Sequence, residues 1–124
     1  MAPKFDNNIP IYIQLVEQIK IDIISGKIKP GDRLPSVRDY ALEMKVNPNT
    51  MQKALQELEE IKLVYTERTN GKYVTEERKL IEKYKKQYAD ELSKKYFHNM
   101  EEIGYTKEET IKYLESLGGN KWWN

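Results

Sequence analysis

Apolar residues recur at helical spacing near the start of the chain. This stripe consists of Tyr12, Leu15, Val16, Ile19 and Ile23. Pro10 stands where a helix can begin, and Gly26 lies where one commonly ends. The pattern therefore predicts a first helix over residues 10–25. Residues 27–35 contain the turn pair Pro30-Gly31 and predict a loop with a short strand.

Two further helices are predicted on either side of a tight connection. Ser36 is a good N-cap, and the apolar stripe that follows it predicts a second helix of about two and a half turns. That stripe is Val37, Tyr40, Ala41 and Met44. Asn47 can then cap a third helix with Pro48 at its first position, because a proline there loses no helical hydrogen bond. We expect this third helix over residues 47–61.

The third predicted helix has an apolar face and a polar face. The apolar face consists of Met51, Ala54, Leu55 and Leu58. The complementary stripe consists of Asn49, Gln52, Lys53 and Gln56. Because only the apolar face packs against the core, the polar stripe remains exposed and available to contact another molecule.

A β-hairpin is predicted after the third helix. Residues 63–66 have the composition of a strand, Asn70 and Gly71 form a tight turn, and residues 72–74 form the returning strand. Helix, short helix, tight turn, helix and hairpin is the order of a winged helix-turn-helix. In that fold the third helix enters the DNA major groove, and the wing, here residues 63–74, lies on the backbone or in the minor groove.

Beyond Thr75, runs of Lys and Glu are broken by apolar residues at helical spacing. This pattern predicts a long amphipathic helix that ends at Gly104. Thr106 and Glu109 form a capping box for a last short helix, which we expect Gly118 and Gly119 to end. The fold class is thus mainly α with a small β-hairpin: a winged helix-turn-helix domain over residues 9–75 and a C-terminal helical dimerisation segment over residues 76–124.

Composition excludes several classes of function. The 21 basic and 20 acidic residues nearly cancel, so a nucleic-acid partner must be recognised from local charge. Without cysteine there is no disulfide or thiolate zinc site, and His98 alone is a poor metal ligand. We therefore expect no enzyme, cofactor or metal. No continuous apolar run indicates export or a membrane span, and we expect a cytoplasmic protein.

Amides on the third helix indicate how it would read DNA. Asparagine and glutamine can form two hydrogen bonds with the N6 and N7 edge of adenine, so Asn49 and Gln52 suit an A·T-containing site. Basic residues that could neutralise phosphates flank this helix. They are Arg33, Arg38, Lys53, Arg68 and Lys72.

The segments "GDRLPSVRDYA" (31–41), "VNPNTMQKALQEL" (46–58) and "RTNGKYV" (68–74) resemble the GntR family of bacterial transcription regulators. The short helical tail resembles its YtrA-type branch. The resemblance implies a repressor, often of a transporter operon, with DNA contacts at Arg38 and Thr50 and a wing-tip glycine at Gly71. Pro48 and Gln52 depart from positions where the family commonly has basic residues, and Lys45 departs from a common turn glycine, so base preference cannot be transferred.

The sequence thus indicates two sets of candidate residues. The candidate DNA contacts are Arg33, Ser36, Arg38, Asn47, Pro48, Asn49, Thr50, Gln52, Lys53, Arg68, Asn70, Gly71 and Lys72. The candidate dimerisation residues are Leu80, Tyr84, Tyr88, Leu92, Tyr96, Ile111 and Leu114. A long helix cannot bury such a stripe alone, so we expect a homodimer on a palindromic operator. A small-molecule effector bound between the helical tails is left open.

Simpler interpretations compete with several of these assignments. Asn47-Pro48 alone is more often an ordinary helix start, a lone arginine such as Arg38 is usually solvated, and Gly71 serves the turn itself. The combination of helix, polar stripe and hairpin favours DNA recognition. The alternative function is a winged-helix protein-interaction module without specific DNA binding, which salt-dependent binding of a palindromic duplex would distinguish.

Overall fold

The computed structural model describes residues 3–68 and 70–120, with the backbone alone for residues 119 and 120. These residues form five helices and one two-stranded sheet. The elements are α1 (Ile11–Ile24), α2 (Val37–Met44), α3 (Pro48–Glu60), β1 (Val64–Glu67), β2 (Gly71–Val74), α4 (Arg78–Glu102) and α5 (Lys107–Asn120). The chain divides into two compact units after Lys85, within α4. The mainly helical winged-helix fold predicted from the sequence is confirmed.

The core of the first unit lies between α1 and α3. The predicted apolar faces meet there, with Leu15, Ile19 and Ile23 of α1 and Met51, Leu55 and Leu58 of α3 all buried. Burial of each such aliphatic side chain stabilises the fold by about 1.5–3 kcal/mol. This packing leaves the opposite face of α3 exposed to solvent.

Two side-chain caps fix where α2 and α3 begin. Ser36 Oγ accepts a hydrogen bond from the backbone N–H of Asp39 at 3.1 Å, and Asn47 Oδ1 accepts one from Asn49 at 2.7 Å. Pro48 occupies the start of α3, as predicted. Lys45 ends α2 in the left-handed conformation, with φ 57°. A tight turn therefore separates the two helices.

The hairpin is attached to the segment that precedes α2. Val64 of β1 pairs with Val74 of β2, and both valines are buried. The predicted short strand is present as a bridge between Arg33 and Tyr73. The Leu34 N–H donates to the Lys72 carbonyl at 2.8 Å. The first turn of α2 consequently lies beside the wing, which is the β1–β2 hairpin.

The second unit contains the C-terminal part of α4, followed by α5. Gly104 has a φ of 98° after the end of α4. The predicted capping box is present: Glu109 N–H donates to Thr106 Oγ1 at 3.1 Å, and Thr106 N–H donates to Glu109 Oε1 at 2.9 Å. No described helix is long and apolar enough to cross a membrane.

One predicted boundary in this unit is wrong. Gly118 and Gly119 do not end the last helix, because α5 continues to Asn120. Glycine accepts helical dihedral angles and weakens a helix by about 1 kcal/mol relative to alanine, so it ends a helix only where it adopts a positive φ. Trp122 and Trp123 lie outside the described residues.

Candidate nucleic-acid interface

The exposed face of α3 carries the polar residues that the sequence singled out. Asn49, Gln52 and Lys53 are exposed, whereas Thr50 is half-buried. Asn47 and Pro48 are exposed at the start of the helix. The capping bond engages the side-chain oxygen Oδ1 of Asn47, which leaves its side-chain NH₂ to donate elsewhere. The first two turns of α3 thus present amides, a hydroxyl and one ammonium group.

Lys53 contacts an aromatic ring of the first helix. Its ammonium nitrogen lies 3.9 Å from the ring centroid of Tyr12, which is a cation–π contact. Ile11, Asn49 and Thr50 line the same shallow cleft. The sequence analysis missed Tyr12 as part of this surface, since its place in the apolar stripe of α1 indicated packing alone.

A second cleft lies between the first turn of α2 and the wing. Arg33, Ser36, Arg68 and Gly71 are among the residues that line it. Gly71 has a φ of 101°, and a Cβ added there would lie 3.4 Å from Arg33 Nε. The positive φ of the turn therefore favours glycine here, whereas an added Cβ would only make ordinary van der Waals contact with the guanidinium group. The sequence predicted the turn but not this contact.

The remaining predicted contacts lie around this cleft or on the adjoining surface. Arg38 is exposed on α2, and Asn70 is exposed at the turn of the hairpin. Tyr65 and Tyr73 are cross-strand partners whose rings stack with centroids 5.7 Å apart. Such pairs stabilise a short hairpin and help to hold its tip in place.

Lys72 differs from the other basic candidates because it is already paired within the chain. Its Nζ lies 2.6 Å from a Glu59 carboxylate oxygen and donates to Thr66 Oγ1 at 3.0 Å. Burial alone would raise the pKa of Glu59, but the hydrogen bonds from Lys72 and Thr66, with the Lys72 charge, hold that pKa below its usual value. Sequence analysis missed Glu59, whose residue type gave no indication of this partner.

The candidate dimerisation residues fall into both units. In the first unit Tyr84 has partners within the chain, contrary to the sequence-based expectation. Its hydroxyl donates to the Ile61 carbonyl at 3.5 Å, and the Lys20 ammonium lies 5.6 Å from its ring centroid. Leu80 is half-buried and lines a groove with Val64 of the hairpin. The N-terminal turns of α4 therefore pack against the winged-helix unit.

The second unit carries the other candidate dimerisation residues. Leu92, Ile111 and Leu114 are 59%, 43% and 42% exposed, respectively. Tyr88 and Tyr96 are half-buried, and the Tyr96 ring makes an edge-to-face contact with Phe97. These three aliphatic candidates, like the neighbouring Ile103, are thus substantially exposed in a single chain.

No cluster with the donor set of a metal site occurs among residues 3–68 and 70–120. His98 Nε2 lies 2.9 Å from a Glu102 carboxylate oxygen, and both side chains are largely exposed. This i, i+4 pair resembles ordinary surface pairs on a helix. The groups that α3, the first turn of α2 and the wing present are suited to binding an anionic polymer through bases and phosphates.

Known proteins are similar to this chain in both sequence and fold. The chain is 34% identical over 117 residues to the uncharacterized HTH-type transcriptional regulator YhcF of Bacillus subtilis, covering 94% of this chain and 97% of YhcF. It is 46% identical over 70 residues to the HTH-type transcriptional repressor YtrA of Bacillus subtilis, covering 56% of this chain and 54% of YtrA. A solved GntR family transcriptional regulator from Listeria monocytogenes superposes with a TM-score of 0.83 at 39% identity, covering 90% of this chain and 98% of the other.

The family described as "Bacterial regulatory proteins, gntR family" matches residues 11–74. This range begins with α1 and ends with β2, so it contains α3, the first turn of α2 and the wing. The Listeria structure extends the similarity into the C-terminal helices. The chain therefore belongs to the GntR family of bacterial transcription regulators, a family of DNA-binding proteins rather than enzymes.

Proposed function

We propose that the protein is a homodimeric repressor that binds a palindromic, A·T-containing operator in the cytoplasm. Residues 9–75 would form the DNA-binding domain and residues 76–124 the dimerisation segment. The repressor role is supported by the name of YtrA, and a transporter operon is the target that the YtrA-type resemblance suggests. Repression by occupation of an operator requires no small-molecule effector.

The polar face of α3 is the observation on which this proposal mainly rests. Asn49 and Gln52 are exposed on a helix whose opposite face is fully buried. An α-helix fits the DNA major groove, where side-chain amides can form hydrogen bonds with adenine. We therefore propose that α3 reads the bases and that A·T pairs lie at the positions opposite Asn49 and Gln52.

The exposed basic groups around α3 would hold the DNA backbone. Arg33 and Arg68 line the cleft beside the first turn of α2, and Arg38 and Lys53 are exposed on adjoining helices. Phosphate contacts fix the register of a protein on DNA without selecting the sequence. The wing tip at Asn70 and Gly71 would lie on the backbone or in the minor groove.

Dimerisation would place two recognition helices on one duplex. One helix reads only a few base pairs, so a palindromic operator needs two helices about 34 Å apart. The exposed Leu92, Ile111 and Leu114 of the second unit are the side chains that a partner chain would cover. Leu80 and Tyr84 contribute less to this proposal, because they pack within the first unit.

Selection of bound duplexes from a random library tests the proposal directly. The expected product is a palindrome with two A·T-containing half-sites, bound with a strong dependence on salt concentration. Arg38→Ala should weaken binding to all sequences and make the salt slope shallower by about one phosphate contact. No enrichment above random DNA at low salt would instead favour the protein-interaction module.

A further inference from the structure

An ion pair joins the last turn of the recognition helix to the returning strand of the wing. Glu59 lies on the C-terminal turn of α3, and Lys72 is the second residue of β2. Their side chains are only 30% and 16% exposed, and the charged atoms lie 2.6 Å apart. Thr66 of β1 completes the cluster through hydrogen bonds to both groups. Three elements of the winged-helix unit are thus joined at one point.

The geometry of this cluster distinguishes it from an ordinary surface ion pair. Exposed pairs between flexible side chains contribute little because solvent screens them and ordering the side chains is costly. Here the lysine side chain is mostly buried, and the carboxylate receives a hydrogen bond from each strand. The lowered pKa of Glu59 arises from these same hydrogen bonds, since Lys72 and Thr66 both stabilise the charged carboxylate.

The cluster also constrains what the Lys72 ammonium can do. A phosphate contact would require Lys72 to leave two partners within the chain and expose a carboxylate close to DNA. The wing is anchored at its base, where Val64 and Val74 are buried, but its two strands pair over only four residues each, so its tip needs a support. A two-stranded hairpin of this kind is marginally stable without packing against another element.

We propose that Lys72 and Glu59 are positioning residues that brace the wing against the recognition helix, and that Lys72 is not a phosphate contact. This proposal rests on the proposed function, because the brace affects binding only if α3 and the wing contact the same DNA duplex. Its role is to hold the wing tip, which includes Arg68 and Gly71, at a fixed position relative to Asn49 and Gln52. Binding then requires no ordering of the wing at the moment of contact.

The two possible roles of Lys72 predict opposite effects of Glu59→Gln. If the pair is a brace, Glu59→Gln should weaken operator binding by about tenfold, as expected for the loss of a charged hydrogen-bond partner. If Lys72 contacts phosphate and Glu59 competes for it, Glu59→Gln should tighten binding and steepen the salt dependence. Glu60→Gln is the matched control, because it removes the same charge from the neighbouring, exposed position of α3.

A double-mutant cycle with Lys72→Met gives an independent test of the pairing. For a brace, Lys72→Met should weaken binding with an unchanged salt slope, and Glu59→Gln/Lys72→Met should be no worse than either single variant. Additive losses, or a salt slope reduced by about one contact in Lys72→Met, would overturn the proposal.

Amide hydrogen exchange of the full chain without DNA separates this inference from the proposed function. In Glu59→Gln, amides of β1 and β2 should exchange about tenfold faster, while those of α1 should remain as in the wild type. Equal exchange of the wing amides in Glu59→Gln and Glu60→Gln would refute the brace, whether or not the chain binds an operator. Faster wing exchange without any DNA binding would support the brace and reject the proposed function.

Discussion

The Lys53 ammonium lies 3.9 Å from the ring centroid of Tyr12, and this contact links the recognition helix to the first turn of α1. The ring face would hold the ammonium in one position, where it can meet a phosphate without first being ordered. Tyr12→Leu should therefore weaken operator binding by about threefold, in line with the loss of about 0.5–1 kcal/mol for an exposed cation–π contact. Fluorescence anisotropy titration measures the change.

Tyr12→Phe is the matched control for that variant. It keeps the ring face and removes only the hydroxyl group, so its operator affinity should remain within twofold or so of the wild type, since the ring supplies the attraction. Equal losses in Tyr12→Phe and Tyr12→Leu would show that the hydroxyl, not the contact with Lys53, is what matters.

Replacement of Gln52 tests whether α3 reads bases. Gln52→Ala should cost about 1–3 kcal/mol at the selected operator and much less on random DNA, because only the operator offers the matching base edge. Gln56→Ala, one turn further along the same exposed face, is the comparison variant. Equal losses of Gln52→Ala on both DNAs would rule out base reading by this side chain.

Much of the winged helix could be predicted because its determinants are local. The spacing of Met51, Leu55 and Leu58 defines the buried face of α3, and the N-cap position of Asn47 determines where α3 begins. Both depend on residues within one or two turns of each other. The exposed amides of α3 follow directly, since they occupy the face opposite the core.

The contacts that sequence analysis missed join residues distant in the chain. Glu59 and Lys72 are 13 positions apart, and Lys53 meets Tyr12 of a different helix. No periodicity reports such pairs, because each of the charged residues alone resembles a solvated surface residue and Tyr12 alone resembles a core residue of α1. The contact of Tyr84 with Ile61 also joins residues distant in the chain, because it depends on how the first turns of α4 pack within the first unit.

Two lysines adopt a backbone conformation that favours glycine. Lys45 and Lys62 have φ values of 57° and 70°, in the left-handed region. A side chain in this conformation costs about 1–2 kcal/mol. Replacement by glycine removes that cost, but the larger entropy of the unfolded glycine variant offsets part of the gain. Lys45→Gly should therefore raise the free energy of unfolding by about 0.5–1 kcal/mol in urea denaturation.

Lys62→Gly should give a similar gain, whereas Lys45→Ala should give none because alanine retains the left-handed penalty. A matching gain in Lys45→Ala would instead assign the effect to the lost charge. No gain in either glycine variant would contradict backbone strain at these turns.

The lowered pKa of Glu59 predicts how acid affects the brace. A carboxyl group whose pKa is lower in the folded protein than in the unfolded chain, where it is about 4.3, stabilises the fold at pH values above that unfolded-state pKa. This contribution is lost as the pH falls through the folded pKa. Glu59→Gln should thus be less stable than the wild type at pH 7, and the difference should shrink below about pH 4. A difference in unfolding free energy that stays constant down to pH 3 would contradict the assigned cause.

Dimerisation is best tested with point variants of the full chain rather than by truncation. Removing residues after Thr75 would also remove Ile81, which is buried, and Tyr84, which contacts Ile61. Ile111→Asp and Leu114→Asp instead place a charge on the exposed apolar side chains of α5 without altering the first unit. Ser116→Asp is the control, because Ser116 lies roughly 140° around the same helix from Ile111.

If these side chains lie in a two-fold interface, each aspartate is buried there without a partner of opposite charge, and the desolvation cost of these charges separates the two copies. Sedimentation at micromolar concentration should then show a dimer for the wild type and Ser116→Asp but a monomer for Ile111→Asp/Leu114→Asp. The monomer loses the tethered second contact, so its affinity for a two-half-site operator should fall by about 10²-fold or more, toward that for a half-site. Its affinity for the half-site itself should not change, because α3 and the wing are intact. A monomeric wild type, or a double variant that still sediments as a dimer, would show that this face does not assemble the protein on its operator.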